Sequence, residues 1–336
     1  MSKPYLIVGH GLAGCVLALT FLRNKIPFTL AGTSINGEAS MASSGLITPV
    51  TGRKYVKSWM IDEFIDEAIG FYAWTEELLG GKYFFPVEII RFLSHSEALQ
   101  AWNKRSEDTD YARYISNKRF EEIDRLEKPY GVLTGGYRLD APGWLKIVRS
   151  FLSENGMFEE RFVEPSEQAE EYEAIIFATG AVGHFVSGGL IPNKGEALIV
   201  KMPQWKFPAI IKEEVFFVPL KEEDMFWVGS YYQPWPDNPG PSAEGKMMLM
   251  KAIEEVYKDS FMIIDHVAGV RPTVDDRRPL IGLYPGYEKK YIFNGMGTKG
   301  TSLAPYWANH LVSHIIKGAP IMRIVRPERY TTQQSG

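Results

Sequence analysis

Three glycines near the start of the chain have the spacing to hold phosphates. Gly9-His10-Gly11-Leu12-Ala13-Gly14 is a G-x-G-x-x-G run, and each glycine has a separate task in a dinucleotide site. Gly9 permits a tight turn, Gly11 lets backbone approach a pyrophosphate, and Gly14 lets a helix pack closely on a strand. Leu12 and Ala13 stand at the helix start, where free N–H groups and the helix dipole favour an anion. Other chemistries are poorly served. The one cysteine, Cys15, rules out a disulfide framework or a cysteine-built metal site. His310 and His314 are spaced i, i+4 without a third ligand nearby, and no metal site is expected. No nucleophile-elbow sequence supports a serine hydrolase.

The glycines need a strand before them and a helix after them, and the sequence offers both. Tyr5-Leu6-Ile7-Val8 is short, apolar and stopped by glycine, as a buried parallel strand should be. Residues 15–22 read as a helix and 26–30 as a second strand, which makes a βαβ unit and raises the specificity of the motif. On its own this unit suits NAD and FAD equally. The acid that usually ends the second strand and binds ribose is missing. Leu30-Ala31-Gly32-Thr33-Ser34 stands there instead, and the first acid is Glu38. Thr33 or Ser34 is expected to take the ribose hydroxyl.

The rest of the chain is of ordinary globular character. It has 336 residues, 45% hydrophobic and 23% charged, enough for a sizeable core and two structural domains. A net charge of −4 without a basic block disfavours nucleic acid as a partner. The first apolar run is too short for a signal peptide, and no stretch is long enough to span a bilayer. A cytoplasmic protein with no membrane partner is expected. Helices are expected over about 58–79, 95–107, 142–154, 242–258 and 302–316. Strands are expected at 84–92, 214–218 and 225–230, where aromatic and β-branched residues suit an antiparallel sheet with one covered face.

Four further segments carry a resemblance. They are Ala39-Ser40-Met41-Ala42-Ser43-Ser44-Gly45-Leu46-Ile47-Thr48-Pro49, the strand 172–180 ending in Ala178-Thr179-Gly180, Gly269 to Gly282 with Arg271-Pro272-Thr273, and Gly295-Met296-Gly297-Thr298-Lys299-Gly300-Thr301 with a helix behind it. In kind and in order they resemble the D-amino acid oxidase family of flavoproteins, which includes glycine oxidase and sarcosine oxidase. The resemblance implies FAD, with Ser40, Ser43, Ser44, Gly45 and Leu46 against the flavin and pyrophosphate. Cys15, on the first helix beneath the phosphate loop, is a poor place for a covalent bond to the ring, so the FAD is expected to be non-covalent. It adds Val163, Ala178, Thr179 and Gly180 beneath the cofactor, and Gly297, Thr298, Lys299, Gly300 and Thr301 facing the ring.

The fold class that follows is α/β. A Rossmann-type FAD-binding domain of residues 1–80, 141–190 and 265–336 would carry an inserted α+β substrate domain with a mixed or antiparallel sheet, residues 81–140 and 191–264. The implied activity is an FAD-dependent oxidoreductase acting on the C–N bond of a small amine or amino acid, with the electron acceptor open. In such chemistry the cofactor accepts the hydride and the protein orients the substrate, so cations that clamp a carboxylate matter most. Arg271 and Lys299 are the leading candidates. Arg53 and Lys54 could reach cofactor phosphate or an anionic substrate, and Tyr231, Tyr232, Tyr137 and Arg138 could enter the pocket. Two alternatives stay open. The loop around Lys299 is also similar to the flavin domain of the bacterial enzyme that finishes 5-methylaminomethyl-uridine in tRNA. A flavin-fold protein without turnover, acting as a binding module, is the other.

Overall fold

The computed structural model describes residues 3–124, 128–164, 166–167, 170–181, 189–205, 207 and 209–330. The chain opens with the expected βαβ unit: β1 (Tyr5–Val8), α1 (Leu12–Arg23) and β2 (Phe28–Ala31). Helix α1 is buried from Gly14 through Phe21, so it is apolar on nearly every side rather than amphipathic. Short strands β3 (Leu46–Ile47), β4 (Val50–Thr51) and β5 (Val56–Lys57) follow, and then α2 (Ile61–Leu79). The helix expected from 58 begins at Ile61 because Met60 sits in the left-handed region, with φ 48°, and breaks the helical path.

The middle of the chain supplies β6 (Phe84–Phe92), α3 (Ser96–Ser106), β7 (Ile115–Ser116), α4 (Glu121–Asp124), β8 (Tyr130–Leu139), α5 (Ala141–Glu154), β9 (Phe158–Glu159) and β10 (Ile175–Phe177). Asp140 caps α5 by accepting from Gly143 N at 3.3 Å, and Pro142 occupies the first turn, where its missing N–H costs nothing. Next come β11 (Leu190–Lys201), β12 (Ile210–Lys212), β13 (Phe216–Pro219), β14 (Met225–Pro234), α6 (Ala243–Val256) and β15 (Met262–Val274). The chain closes with β16 (Leu280–Leu283), β17 (Lys290–Asn294) and α7 (Gly300–Lys317).

The strands form two main sheets. The six-stranded sheet has the order β16-β17-β10-β1-β2-β9, with β1 flanked by parallel partners β2 and β10. The nine-stranded sheet has the order β15-β11-β14-β13-β12-β6-β8-β3, with β7 added on β8. It is antiparallel except where β12 runs parallel to β6. Its longest pair, β11 with β15, runs from Leu190 opposite Val274 to Lys201 opposite Met262. The expected domain boundary at 265 therefore falls inside β15. One large core joins α1, α2, α5 and α7 to the sheets. A second lies between the far face of the nine-stranded sheet and α6, built from residues such as Val228, Leu198, Leu249 and Ile253. The near face of that sheet looks onto the C-terminal ends of β1 and β10, across a cavity of about 870 Å³.

Candidate active site

The cavity is at the upper end of the range for small-molecule sites, roughly 300–1,000 Å³. Its floor is the glycine turn. Gly9 has φ +105°, and a Cβ there would stand 2.5 Å from Ala178 O. A Cβ on Gly14 would stand 1.7 Å from Gly9 O, so Gly14 packs the helix onto the turn and does not itself line the cavity. Gly11 lines it, and a Cβ there would meet only Ser40 Oγ at 3.7 Å. No side chain caps α1 at Gly11, although Leu12 N donates to Ser40 Oγ at 3.1 Å. A bare helix N-terminus at a glycine cradle is the arrangement that takes a pyrophosphate.

At the ribose end the structure divides the two expected residues. Thr33 lines the cavity, whereas Ser34 is exposed and outside its wall, since the chain turns to solvent over residues 34–36. The place of the usual acid is taken by packing: a Cβ on Gly32 would stand 2.6 Å from His10 Cδ2. Glu38 does reach the wall, with one oxygen 2.9 Å from Arg149 Nη2 and the other 3.7 Å from His10 Nε2. Val163 lines the same end, beside Arg161 and Phe162.

The remaining candidates for the cofactor gather around the centre. Leu12, Ala13, Ser40, Ser43, Ser44, Gly45 and Leu46 line the cavity, as do Ala178, Thr179 and Gly180 after β10. Thr179 Oγ1 is buried with no hydrogen-bond partner among the described residues, which marks it as a group awaiting a ligand. Gly297, Thr298, Lys299, Gly300 and Thr301 also line it, so α7 presents its uncapped N-terminus to the cavity as α1 does. Cys15 is buried under the turn, with its thiol pushed up to about 12 by burial, and does not reach the wall.

The cations differ in how they are held. Lys299 Nζ donates to Ser58 Oγ at 3.0 Å. Burial lowers its pKa below the usual lysine value, and the charges of Arg277 and Arg278 lower it further. Arg271 Nη2 donates to Ser230 Oγ at 3.0 Å, and its guanidinium lies 4.7 Å from the Tyr232 ring centroid. Arg271 Nη1 is buried without a partner among the described residues. The aspartates of its own segment are engaged elsewhere: Asp276 with Arg329 at 2.8 Å, Asp275 with the Tyr330 hydroxyl. Burial depresses the Arg271 pKa, as expected of a desolvated cation. Arg53 lines the cavity from the exposed tip of the β4–β5 hairpin.

Three other expectations are corrected. Tyr231 does not line the cavity; it turns to the α6 side and bonds Glu244. The cause is a bulge in β14, where the register against β11 shifts between Glu196 and Ala197. One inserted residue reverses which side chains face each way, so Trp227, Ser230 and Tyr232 line the cavity instead. Tyr137 and Arg138 are outside the wall too, Tyr137 stacked on Phe84 at 4.9 Å. Lys54 is also outside. Residues the sequence reading missed are Arg91, Lys212, Phe216 and Trp227, all on the sheet face above the cavity. The available signal was strand alternation, which puts Arg91 on the face of β6 opposite core residue Ile90. Trp227 also ties this roof to the small-residue loop, its Nε1 donating to Ala42 O at 2.9 Å.

Comparison with known proteins agrees with this arrangement. The family model described as DAO, FAD dependent oxidoreductase, matches residues 5–313. Glycine oxidase from Geobacillus kaustophilus is similar in fold, with a TM-score of 0.79 at 17% identity, over 95% of this chain and 96% of that one. L-proline dehydrogenase from P. horikoshii gives 0.78 at 14% identity, over 99% and 98%. L-α-glycerophosphate oxidase from Mycoplasma pneumoniae, with FAD bound, gives 0.73 at 15% identity, over 97% and 98%.

Proposed function

The chain belongs to the DAO family of FAD-dependent oxidoreductases, and from that premise we propose that it oxidises the C–N bond of an amine or amino acid whose carboxylate is held by Arg271. FAD is the cofactor, and the residues present fit it: a glycine cradle, two uncapped helix N-termini and an unpartnered Thr179 hydroxyl meet at one cavity. Gly9, Gly11, Leu12, Ala13 and Ser40 would hold the pyrophosphate, Thr33 and Val163 the adenosine end. Ser43, Ser44, Gly45, Leu46 and Gly297 to Thr301 would hold the flavin. Bound FAD supplies the acceptor for a hydride.

The observation that carries the substrate reading is Arg271. It is a mostly desolvated guanidinium in the cavity wall, fixed by Ser230 and the Tyr232 ring, and among the described residues Nη1 has no partner and no carboxylate forms an ion pair with it. A fixed, unpaired fork of N–H groups suits a carboxylate. Lys299, with its lowered pKa, would accept a proton from the substrate ammonium. The substrate carbon then loses a hydride, its C–N bond becomes C=N, and water later hydrolyses the imine. Phe216 and Trp227 would exclude water from that step. Glycine oxidase and L-proline dehydrogenase, alike in fold, act on the amino acids their names give.

Arg271→Leu in the FAD-loaded protein should weaken binding of acetate and other unreactive monocarboxylates about 10–100-fold, the worth of a hydrogen bond to a charged group. The readout is perturbation of the flavin spectrum. An unchanged affinity would remove Arg271 from the substrate site.

A further inference from the structure

Arg91 and Lys212 occupy neighbouring positions on the roof of the cavity. They are register partners on parallel strands β6 and β12, and both line the cavity. Among the described residues neither forms an ion pair, although the charge of Glu213 acts on both and that of Glu214 on Lys212. Arg91 sits 5.2 Å from the Tyr55 ring centroid, and Lys212 Nζ sits 4.8 Å from that of Phe216 while donating to Glu214 O. Glu213 and Glu214 also line the cavity, and the Glu213 carboxyl is itself raised by burial. Burial lowers both cations, and the charge of Arg91 helps bring Lys212 down to about 8. Two desolvated cations side by side are each stabilised by an anion placed between them.

The registers set how far this pair lies from Arg271. The Arg271 guanidinium is anchored on Ser230, next to Gly229 of β14. Gly229 pairs with Phe216, Phe216 with Lys212, and Lys212 with Arg91. Across the strands the roof thus carries, in order, the Arg271 guanidinium over β11, the Phe216 ring on β13, the Lys212 ammonium on β12 and the Arg91 guanidinium on β6. A Cβ on Gly195 of β11 would stand 1.9 Å from Arg271 Nη2, so three strand spacings separate the first from the third, about 14 Å. Lys212 leans back toward Phe216, which shortens the span.

We infer that Arg91 and Lys212 form a second anion-binding subsite, and that the substrate is an amine carrying two anionic groups, one on Arg271 and one on this pair. The inference rests on the reading of Arg271 given above. The anionic groups would be about 5–10 Å apart, with an aliphatic or aromatic link lying against Phe216.

The test uses the FAD-loaded protein and unreactive ligands: acetate and propionate against succinate, glutarate and adipate, with affinity read from the flavin spectrum. The wild type should bind one of the longer dicarboxylates at least about 10-fold more tightly than any monocarboxylate. The double variant Arg91→Leu/Lys212→Met should lose that preference while monocarboxylate affinity changes less than about threefold. Arg91→Lys and Lys212→Arg, which keep both charges, should retain it. The preference in wild type should fall as pH rises through about 8, where Lys212 loses its charge. A dicarboxylate preference that survives the double variant, or that is absent in wild type, overturns the subsite. Loss of Arg271→Leu sensitivity in the monocarboxylates overturns the Arg271 reading instead, with the double variant still judging Arg91 and Lys212.

Discussion

At the scale of single residues, Lys299 and Gly14 make the sharpest claims. Lys299 sits at the start of α7 in the cavity wall, near Arg277 and Arg278, and its pKa is lowered chiefly by partial burial. A lysine so placed is neutral at a lower pH than one in solvent, and can take a proton from a substrate ammonium. The rate of flavin reduction should therefore rise with pH through the lowered Lys299 value. Lys299→Met should lose that limb and slow reduction about 100-fold, as loss of an acid–base group does; stopped-flow reduction across pH measures both. An unaltered profile would make Lys299 a structural residue. Gly14→Ala should yield protein that neither retains FAD nor packs α1 correctly, because its Cβ would collide with Gly9 O; flavin content and thermal unfolding report the two effects. These glycines were legible because the chemistry of a phosphate turn fixes type and spacing together. Tyr231 was not, because its direction depends on one inserted residue in β14. Gly229, beside that insertion, was the only trace of a bulge within the strand's own sequence.

At the scale of elements, the helices could be read within a few residues because caps and periodicity are local. Ser242 caps α6 by accepting from Gly245 N at 3.0 Å, and Asp140 caps α5. What caps and periodicity do not reveal is the partner that holds a cap in place. Glu196 of β11 accepts from Ser242 N at 2.8 Å and from its hydroxyl at 2.7 Å, while Lys194 Nζ lies 3.0 Å away and His266 Nε2 3.0 Å. Burial raises the Glu196 pKa, but the bonds from Ser242 and Lys194 outweigh it and leave it below the ordinary carboxylate value. A lowered folded-state pKa stabilises the fold above the ordinary value and loses that contribution as pH falls through the lowered one. Glu196→Gln should therefore cost about 3–5 kcal/mol at neutral pH, since it leaves the buried Lys194 charge without its carboxylate. It should also flatten the acid limb of stability, measured by urea unfolding at several pH values. A cost below about 1 kcal/mol would show that the cluster is incidental. The long pair β11 and β15 escaped the sequence for a different reason. Pro192, Gly195, Gly269 and Pro272 interrupt both runs, and only pairing over the full length makes them strands.

At the scale of the whole molecule, two sheets face each other across one cavity, and the chain crosses between them several times. Assigning one sheet to the cofactor and the other to the substrate is our reading of this arrangement. It places Arg271 on a strand of the roof, where the sequence had put it in the flavin domain. The identity of the cofactor was legible because its motifs are spread through the chain in order. The roof was not, because its cavity face is a product of sheet register, and Arg91, Lys212 and Arg271 are far apart in sequence. No helix among the described residues is long and apolar enough to cross a membrane. The central claim is that this protein takes electrons from the C–N bond of a carboxylate-bearing amine. The direct measurement is anaerobic reduction of the FAD-loaded protein by D-amino acids, N-methyl amino acids, glycine, proline and amino- or imino-dicarboxylates. The account predicts bleaching of the oxidised flavin by at least one of them, fastest for a dicarboxylate, and greatly slowed in Arg271→Leu. Bleaching by none, or equal bleaching in Arg271→Leu, would contradict it.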